Sequence, residues 1–174
     1  MSLPAYMFLY DENGVLMQGA CEAHGRVGAT EVSTSQFGVF QGMDNFSGRF
    51  SGSRQHEPFT FRKEIDKLTP FLFFAVCQSK RFKKAEFKYY ETSPAGIEVE
   101  TFNVIMDEVG ISSYNFGHAY APGAIQSNMN EIIGFRSTKI TVRYLPGNIS
   151  YSDSWYENKT IILTEACSGL MLNA

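Results

Sequence analysis

The chain has 174 residues, of which 44% are hydrophobic and 19% are charged, and this balance excludes a largely disordered protein. The length suits one domain with a sizeable core. The formal net charge of −3 argues against a nucleic-acid binder that relies on overall positive charge, although a local basic patch could still bind. The sequence contains no apolar run long enough for a transmembrane helix, so none is predicted.

The N-terminal segment MSLPAYMFLYDENG is predicted to be a strand that ends in a turn at Asn13-Gly14. No basic region precedes its apolar stretch, and Asp11 and Glu12 cut that stretch short, so a secretory signal peptide is not predicted. Further turn signals separate segments of strand length, which favours a barrel or sandwich. They lie at Gly25, Gly28, Gly42, Pro94-Ala95-Gly96, Pro122-Gly123 and Pro146-Gly147.

The stretch from Phe40 to Glu57 is rich in glycine, serine and asparagine and is predicted to be a long loop. It nevertheless carries Phe46 and Phe50, which would be costly to leave in water. Docking of this loop onto another surface is therefore a reasonable hypothesis. His56 near its end has two interpretations, an acid–base group beside Glu57 or a structural residue bonded to a backbone carbonyl, and the second is favoured.

Three segments alternate apolar and polar residues with a period of two, as half-buried strands do. The inward sets are predicted to be Phe59, Phe61 and Ile65, then Ala85, Phe87 and Tyr89, then Ile140, Val142 and Tyr144. The parity changes within IEVETFNVIM, from Ile97 and Val99 to Phe102, Val104 and Met106. Either a β-bulge near Thr101 or burial of both faces at one end would explain that change.

One helix is predicted, with Thr69 as its N-cap and Pro70 as its first helical residue. The following FLFFAVCQS is apolar on almost every side, so the helix should be buried against a sheet or a neighbouring subunit. Cys77 within it is predicted to be a buried small hydrophobe, since a nucleophilic thiol needs an open, electropositive setting.

No catalytic site, metal site or cofactor is predicted from the remaining polar residues. Cys21, Cys77 and Cys167 are far apart and odd in number, which favours free thiols over a disulfide framework or a zinc site. His24 and His118 are isolated in the sequence. The basic cluster KRFKK, from Lys80 to Lys84, is interpreted mainly as a solvated face, with an inter-subunit electrostatic contact as the alternative.

A combination of motifs between Gly52 and Tyr90 is specific to one family. These motifs are G-x-R-x-H-x-P-F, K-x-I-D, T-P-x-L and A-E-F-K-Y-Y, and GIEVETFNVIMDEV, YSDSW and the N-terminal AYMFLYDENGVLMQG extend the match. Together they resemble the Hcp family, the haemolysin-coregulated tube proteins of bacterial type VI secretion. The resemblance covers roughly residues 4 to 157.

The resemblance implies a mainly β fold, a small β-barrel of two antiparallel sheets with one short α-helix packed on its side and a long extended loop. It further implies homohexameric rings that stack into a tube, with a VgrG spike, a contractile sheath and small effector proteins as partners. No catalytic activity, cofactor or nucleic acid is implied. The protein would reside in the bacterial cytoplasm before firing and then be secreted through the apparatus itself, without a signal peptide.

The resemblance also assigns residues to two contacts. The loop from Gly42 to His56 corresponds to the family's extended loop, and its predicted ring-stacking residues are Asp44, Phe46, Arg49, Phe50 and Arg54. The predicted inter-subunit residues on the helix are Phe71, Phe74 and Gln78. Residues 1–157 then form the barrel domain, and residues 158–174 are a short apolar C-terminal extension without an assigned role.

Two other classes of function remain open from the sequence alone. A monomeric barrel that holds a small apolar ligand would show the same strand patterning and a closed interior pocket. A binder of single-stranded nucleic acid would use an exposed aromatic residue with basic neighbours, such as Phe82 within KRFKK. The acidic balance and the family resemblance weigh against both.

Overall fold

A computed structural model of the chain describes residues 5–120, 122–123 and 129–154. These residues form a mainly β structure with one helix, α1 (Thr69–Cys77). In chain order the strands are β1 (Ala5–Tyr10), β2 (Leu16–Met17), β3 (Thr30–Gln36), β4 (Val39–Met43), β5 (Phe50–His56), β6 (Phe59–Glu64), β7 (Arg81–Thr92), β8 (Glu98–His118), β9 (Met129–Arg136), β10 (Lys139–Tyr144) and β11 (Ile149–Ser154).

Six antiparallel strands close into a barrel, in the order β8-β7-β1-β3-β6-β9 and back to β8. The closure depends on the length of β8, because its first half pairs with β7 while its second half pairs with β9. Strands β10 and β11 extend the sheet from the flank of β8, outside the closed barrel. The mainly β barrel with one short helix is thus confirmed.

Register shifts in its pairing with β7 and with β9, and one residue in a left-handed conformation, interrupt β8. Register changes between Tyr89↔Phe102 and Tyr90↔Glu100, so Thr101 is the extra residue of a β-bulge, as the parity change indicated. Glu108, between the two halves, has a φ of 51°, a left-handed conformation that is uncommon for a residue other than glycine. Glu108 lies two residues before Gly110, where the pairing of β8 passes from β7 to β9.

Aromatic side chains fill the barrel interior. The rings of Phe59 and Phe87 lie 4.3 Å apart, and those of Phe61 and Phe135 lie 4.8 Å apart, and all four residues are buried. The inward parity predicted for Phe59, Phe61, Ala85 and Phe87 is therefore confirmed. Tyr144 was wrongly predicted to face inward; it is exposed because β10 lies outside the closed barrel and only the start of that strand, at Ile140, packs against the core.

A buried ionic cluster joins the barrel to the start of α1. Lys63 faces inward from β6, and its Nζ lies 2.6 Å from Oε1 of Glu131 and 2.7 Å from Oδ1 of Asp66. Lys63 and Glu131 are directly opposed on β6 and β9, and neither is exposed to solvent. The Thr69 hydroxyl donates to Glu131 Oε1 at 3.0 Å, and that of Thr30 donates to Asp66 Oδ2 at 2.8 Å.

This cluster corrects the predicted helix cap. The N-cap is Leu68, with no side-chain cap, because the hydroxyl of Thr69 is bound to the ionic cluster instead. The helix begins at Thr69, one residue before the Pro70 that was predicted to be its first helical residue, and ends at Cys77; Pro70 thus still lies in the first turn. Within the described ranges, no helix is long and apolar enough to cross a membrane.

Candidate assembly surfaces

Strands β4 and β5 form a separate antiparallel ribbon, the β4–β5 ribbon, at the position predicted to be a loop. The prediction failed because turn-forming residues dominate its composition, while ribbon pairing requires only backbone groups. Val39 pairs with His56 at its base and Met43 with Phe50 near its tip. The extended shape implied by the family resemblance is thus built by a hydrogen-bonded ladder.

Asp44 organises the turn at the ribbon tip. Its carboxylate accepts hydrogen bonds from the Ser47 hydroxyl at 2.6 Å and from the Phe46 amide at 3.0 Å. These bonds, the hydroxyl bond first, lower the pKa of Asp44 below its ordinary value, so this carboxylate is ionised at neutral pH. Gly48 has a φ of 66°, a left-handed conformation that glycine adopts without a steric penalty.

The predicted stacking residues occupy two places on the ribbon. Asp44, Phe46, Arg49 and Phe50 lie at the tip, where Phe46 is fully exposed and Phe50 is 73% exposed. Arg54 lies near the base, four residues from Phe50 along β5. Large apolar side chains are rarely left in water without a binding role when they cluster, so the tip has the character of a contact surface.

Asp153 of β11 holds the ribbon base, a contact that the sequence analysis missed. Its Oδ2 accepts from Nε of Arg54 at 2.5 Å, its Oδ1 accepts from an Nη of Arg54 at 2.6 Å, and Nε2 of His56 lies 2.6 Å from Oδ2. His56 lies at the ribbon base, and its ring contacts a carboxylate instead of the backbone carbonyl that was predicted. The sequence offered one signal for this contact, the SDSW motif, but the motif does not indicate what its aspartate binds.

Burial alone would raise the pKa of Asp153, but the hydrogen bonds and charges of Arg54 and His56 outweigh it, and the pKa is lowered. The stabilisation by this carboxylate is therefore fully present above its unfolded pKa of about 3.9 and is lost as the pH falls through the lower folded value. The clasp of Arg54, His56 and Asp153 should loosen only in acid.

Asp153→Asn is expected to lower Tm by about 2–6 °C at pH 7, because it removes a bidentate, charge-assisted contact. Thermal unfolding at fixed protein concentration measures this difference, which should shrink as the pH falls below about 4. Glu12→Gln, in the exposed β1–β2 turn, is the control and should change Tm little at any pH. A difference for Asp153→Asn that persists undiminished at low pH would contradict the assigned ionic contact.

The helix leaves most of its aromatic side chains uncovered. Only Leu72 and Ala75 are buried, while Phe71 is 56% and Phe74 is 51% exposed. Gln78, at the C-cap, is exposed on the same short element. The all-round burial predicted from the apolar sequence is therefore absent in the single chain, because α1 rests on the barrel along one narrow face.

One aromatic residue of the helix contacts the barrel. The ring of Phe73 meets that of Tyr114 on β8 edge-to-face at 5.5 Å, which anchors the helix to the second half of β8. Burial, followed by the neighbouring Glu131, raises the pKa of the Tyr114 hydroxyl, so that this ring stays neutral.

Cys77 was wrongly predicted to be buried; it is exposed, because it lies on the side of the helix away from the barrel.

The geometry weighs against the two competing functions. The barrel interior is occupied by the phenylalanine rings, which leaves no room there for an apolar ligand. Phe82, the aromatic residue proposed to stack on a base, is buried in the same core. Among the described residues, no group of three or more His, Cys, Asp and Glu side chains could hold a metal ion.

Comparisons with known proteins agree with this geometry. The model of the family described as "Type VI secretion system effector, Hcp" matches residues 6–144. The "Major exported protein" of Pseudomonas aeruginosa is 28% identical over 167 residues, which cover 89% of this chain and 96% of that protein.

Solved structures show the same architecture. A mutant form of the Hcp1 protein from the E. coli EAEC 042 pathovar is 35% identical, with a TM-score of 0.79 over 89% of this chain and 100% of that one. The secreted protein Hcp3 from Pseudomonas aeruginosa, at 22% identity, has a TM-score of 0.71 over 88% of this chain and 99% of its own. The second likeness concerns the fold alone.

Proposed function

The chain belongs to the Hcp family and is a tube protein of type VI secretion, and on this premise we propose that six copies close into a ring and that rings stack end to end. The observation that carries the proposal is the presence of two exposed aromatic surfaces on one barrel, at the ribbon tip and on α1. A ring with open ends needs such unlike surfaces, one for lateral closure and another for stacking.

Helix α1 is proposed as part of the lateral contact. Phe71, Phe74 and Gln78 lie exposed in a row along a short helix whose other side is held by the barrel. Burying two half-exposed phenylalanine rings against the next subunit would remove apolar surface from water, the main source of association energy. The start of this helix is held to the barrel by the Lys63 cluster, through the hydrogen bond from Thr69 to Glu131.

The β4–β5 ribbon is proposed as the stacking element. Phe46 and Phe50 project from its tip, and Asp44 and Arg49 supply charges of opposite sign beside them. Arg54 acts at a distance from this contact, by clasping the ribbon base to Asp153. A ribbon held at its base and apolar at its tip is suited to reach a neighbouring ring.

The family premise extends to partners and location. We propose that the tube meets a VgrG spike and a contractile sheath, and that its lumen carries small effector proteins. The protein would stay in the bacterial cytoplasm until firing and would leave through the apparatus; the exported relative supports the secretion step. In this account the chain acts as a structural subunit without catalytic activity of its own.

Solution mass is the direct test of ring formation. Light scattering after size exclusion should give six times the 19.5 kDa chain, about 117 kDa, with annular particles in negative stain. A clean monomer across the accessible concentration range would count against closure by this chain alone. Residues 155–174, which include the predicted extension 158–174, lie outside the described residues. The effect of this extension on ring closure is tested by removing it and repeating the mass measurement.

Deleting residues 44–52 is expected to leave the ring mass unchanged and to abolish stacked tubes in negative stain, since this segment carries the tip but not the clasp. A gentler variant, Phe46→Ser with Phe50→Ser, should act in the same direction while keeping the ribbon backbone. Val15→Ser with Val27→Ser is the matched control, because both valines are exposed elsewhere. Monomers after the deletion would refute the assignment of the ribbon to stacking.

A further inference from the structure

Three residues lie side by side across the outer face of the barrel where β7, β8 and β9 meet. Arg81 of β7 pairs with Gly110 of β8, and Gly110 pairs in turn with Arg136 of β9. Directly paired residues point to the same face of a sheet. Their chain neighbours Phe82, Val109 and Phe135 are buried inside, so Arg81 and Arg136 point outward on either side of a glycine.

The glycine leaves a notch between the two arginines. A Cβ placed on Gly110 would meet nothing within 4 Å, so the space above it is open. Neighbouring strands are about 4.8 Å apart, which puts the two arginine backbones about 10 Å from each other. Both arginines line a cleft of about 410 Å³ above the glycine, which Ser112 and Ser137 also line.

The two positive charges of this notch are only partly balanced within the described residues. Among the described residues Arg81 makes no ion pair, and Arg136 donates a hydrogen bond from Nη1 to the carbonyl oxygen of His56 at 3.3 Å. Glu108 lines the cleft and leaves a local charge of about +1 beside the two arginines. Lys83, the next outward residue of β7, lies instead over Gly14.

We propose that Arg81 and Arg136 form an oxyanion site, the arginine notch, that binds a carboxylate of an acidic protein segment. Two planar guanidinium groups that line one cleft on either side of an open glycine suit a carboxylate, which accepts hydrogen bonds on both oxygens. Glu108 disfavours groups of higher negative charge, such as a phosphate dianion. A single-stranded nucleic acid would be held by stacking of its bases on an exposed aromatic residue, and Phe82 beside the notch is buried.

The notch gives a role to part of the basic cluster Lys80 to Lys84. Sequence alone could not distinguish Arg81 from its basic neighbours, because its partner Arg136 is more than fifty residues away and only the strand register unites them. Lys80 lies 5.8 Å from the ring centre of Phe74, and Lys84 bonds Glu86 at 2.9 Å. Of these three cations, Arg81 alone faces the notch. The inference does not depend on ring assembly.

Binding of a fluorescein-labelled hexa-aspartate peptide, followed by fluorescence anisotropy at low ionic strength, tests the proposal. The full chain should bind this peptide and not a hexa-glutamine peptide, and Arg81→Gln with Arg136→Gln should weaken binding by about tenfold or more. Arg62→Gln with Arg143→Gln removes the same charge from exposed positions on other strands and should keep binding within about twofold. An equal loss of peptide affinity in both double variants would show that net charge alone causes the binding, and it would overturn the site.

A second pair of variants keeps both arginines. Gly110→Asp places a carboxylate in the open space of the notch, so it should block the peptide and also raise Tm relative to Gly110→Asn, which adds a similar volume without charge. Equal peptide affinity in these two variants would overturn the site. Inorganic phosphate or an oligo-dT strand that bound more tightly than hexa-aspartate, and lost affinity in the Arg81→Gln, Arg136→Gln variant, would overturn the choice of a protein carboxylate.

Discussion

Lys63→Met is expected to lower the free energy of unfolding by about 3–5 kcal/mol, because it leaves Asp66 and Glu131 buried without their cation. Lys63 is fully buried and lies within hydrogen-bond distance of both carboxylates, so solvent cannot compensate. Urea unfolding at a fixed protein concentration gives the loss as a lower midpoint with an unchanged slope.

The double variant Lys63→Met, Glu131→Met is the informative comparison. The double variant removes the Glu131 carboxylate that Lys63→Met leaves without a cation. It should therefore be more stable than Lys63→Met alone, whereas additive effects would make it less stable. Lys67→Met, at an exposed position on the same connection, should change stability by less than about 0.5 kcal/mol. A similarly small effect of Lys63→Met would show that the cluster is not a closed ionic network.

Phe71→Glu combined with Phe74→Lys is expected to shift the solution mass from about 117 kDa toward the 19.5 kDa single chain. Both rings are half exposed in the single chain, so their loss takes little from the core, whereas charges in a buried subunit contact are costly. The new pair is three residues apart on a helix, with its negative member nearer the N-terminus, so it favours the helix itself.

This design separates assembly from folding. Circular dichroism and Tm should stay close to those of the ring-forming chain after allowance for concentration, while light scattering changes. Val15→Glu, at an exposed apolar position in the β1–β2 turn, is the control and should keep the full ring mass. Persistence of the ring in the Phe71→Glu, Phe74→Lys variant would remove α1 from the lateral contact.

Local patterns predicted the barrel strands well. Alternation placed Phe61 and Phe87 inward because side-chain direction in a strand follows its own sequence parity. The same parity, broken once, located the β-bulge at Thr101. Parity also contained an unused signal, since Lys63 shares the inward face of Phe59 and Phe61, which marks a buried lysine in need of partners.

Errors arose where the surroundings rather than the local sequence decide. Composition indicated a loop between Phe40 and Glu57, but backbone pairing made it a ribbon. Thr69 has the residue type of an N-cap, but its hydroxyl donates a hydrogen bond to Glu131 on a distant strand. Cys77 has an apolar neighbourhood in sequence, yet it is exposed because α1 touches the barrel on one side.

By itself, the sequence determined the mainly β class, the inward parity of the strands, the start of the helix near Pro70 and the family. Each of these depends on residues close together in the chain or on their order. Tertiary structure alone decided three long-range groupings: Lys63 with Glu131, Arg54 with Asp153, and Arg81 with Arg136 across Gly110. Closure of the barrel sets the register between distant strands, and register decides which charges meet.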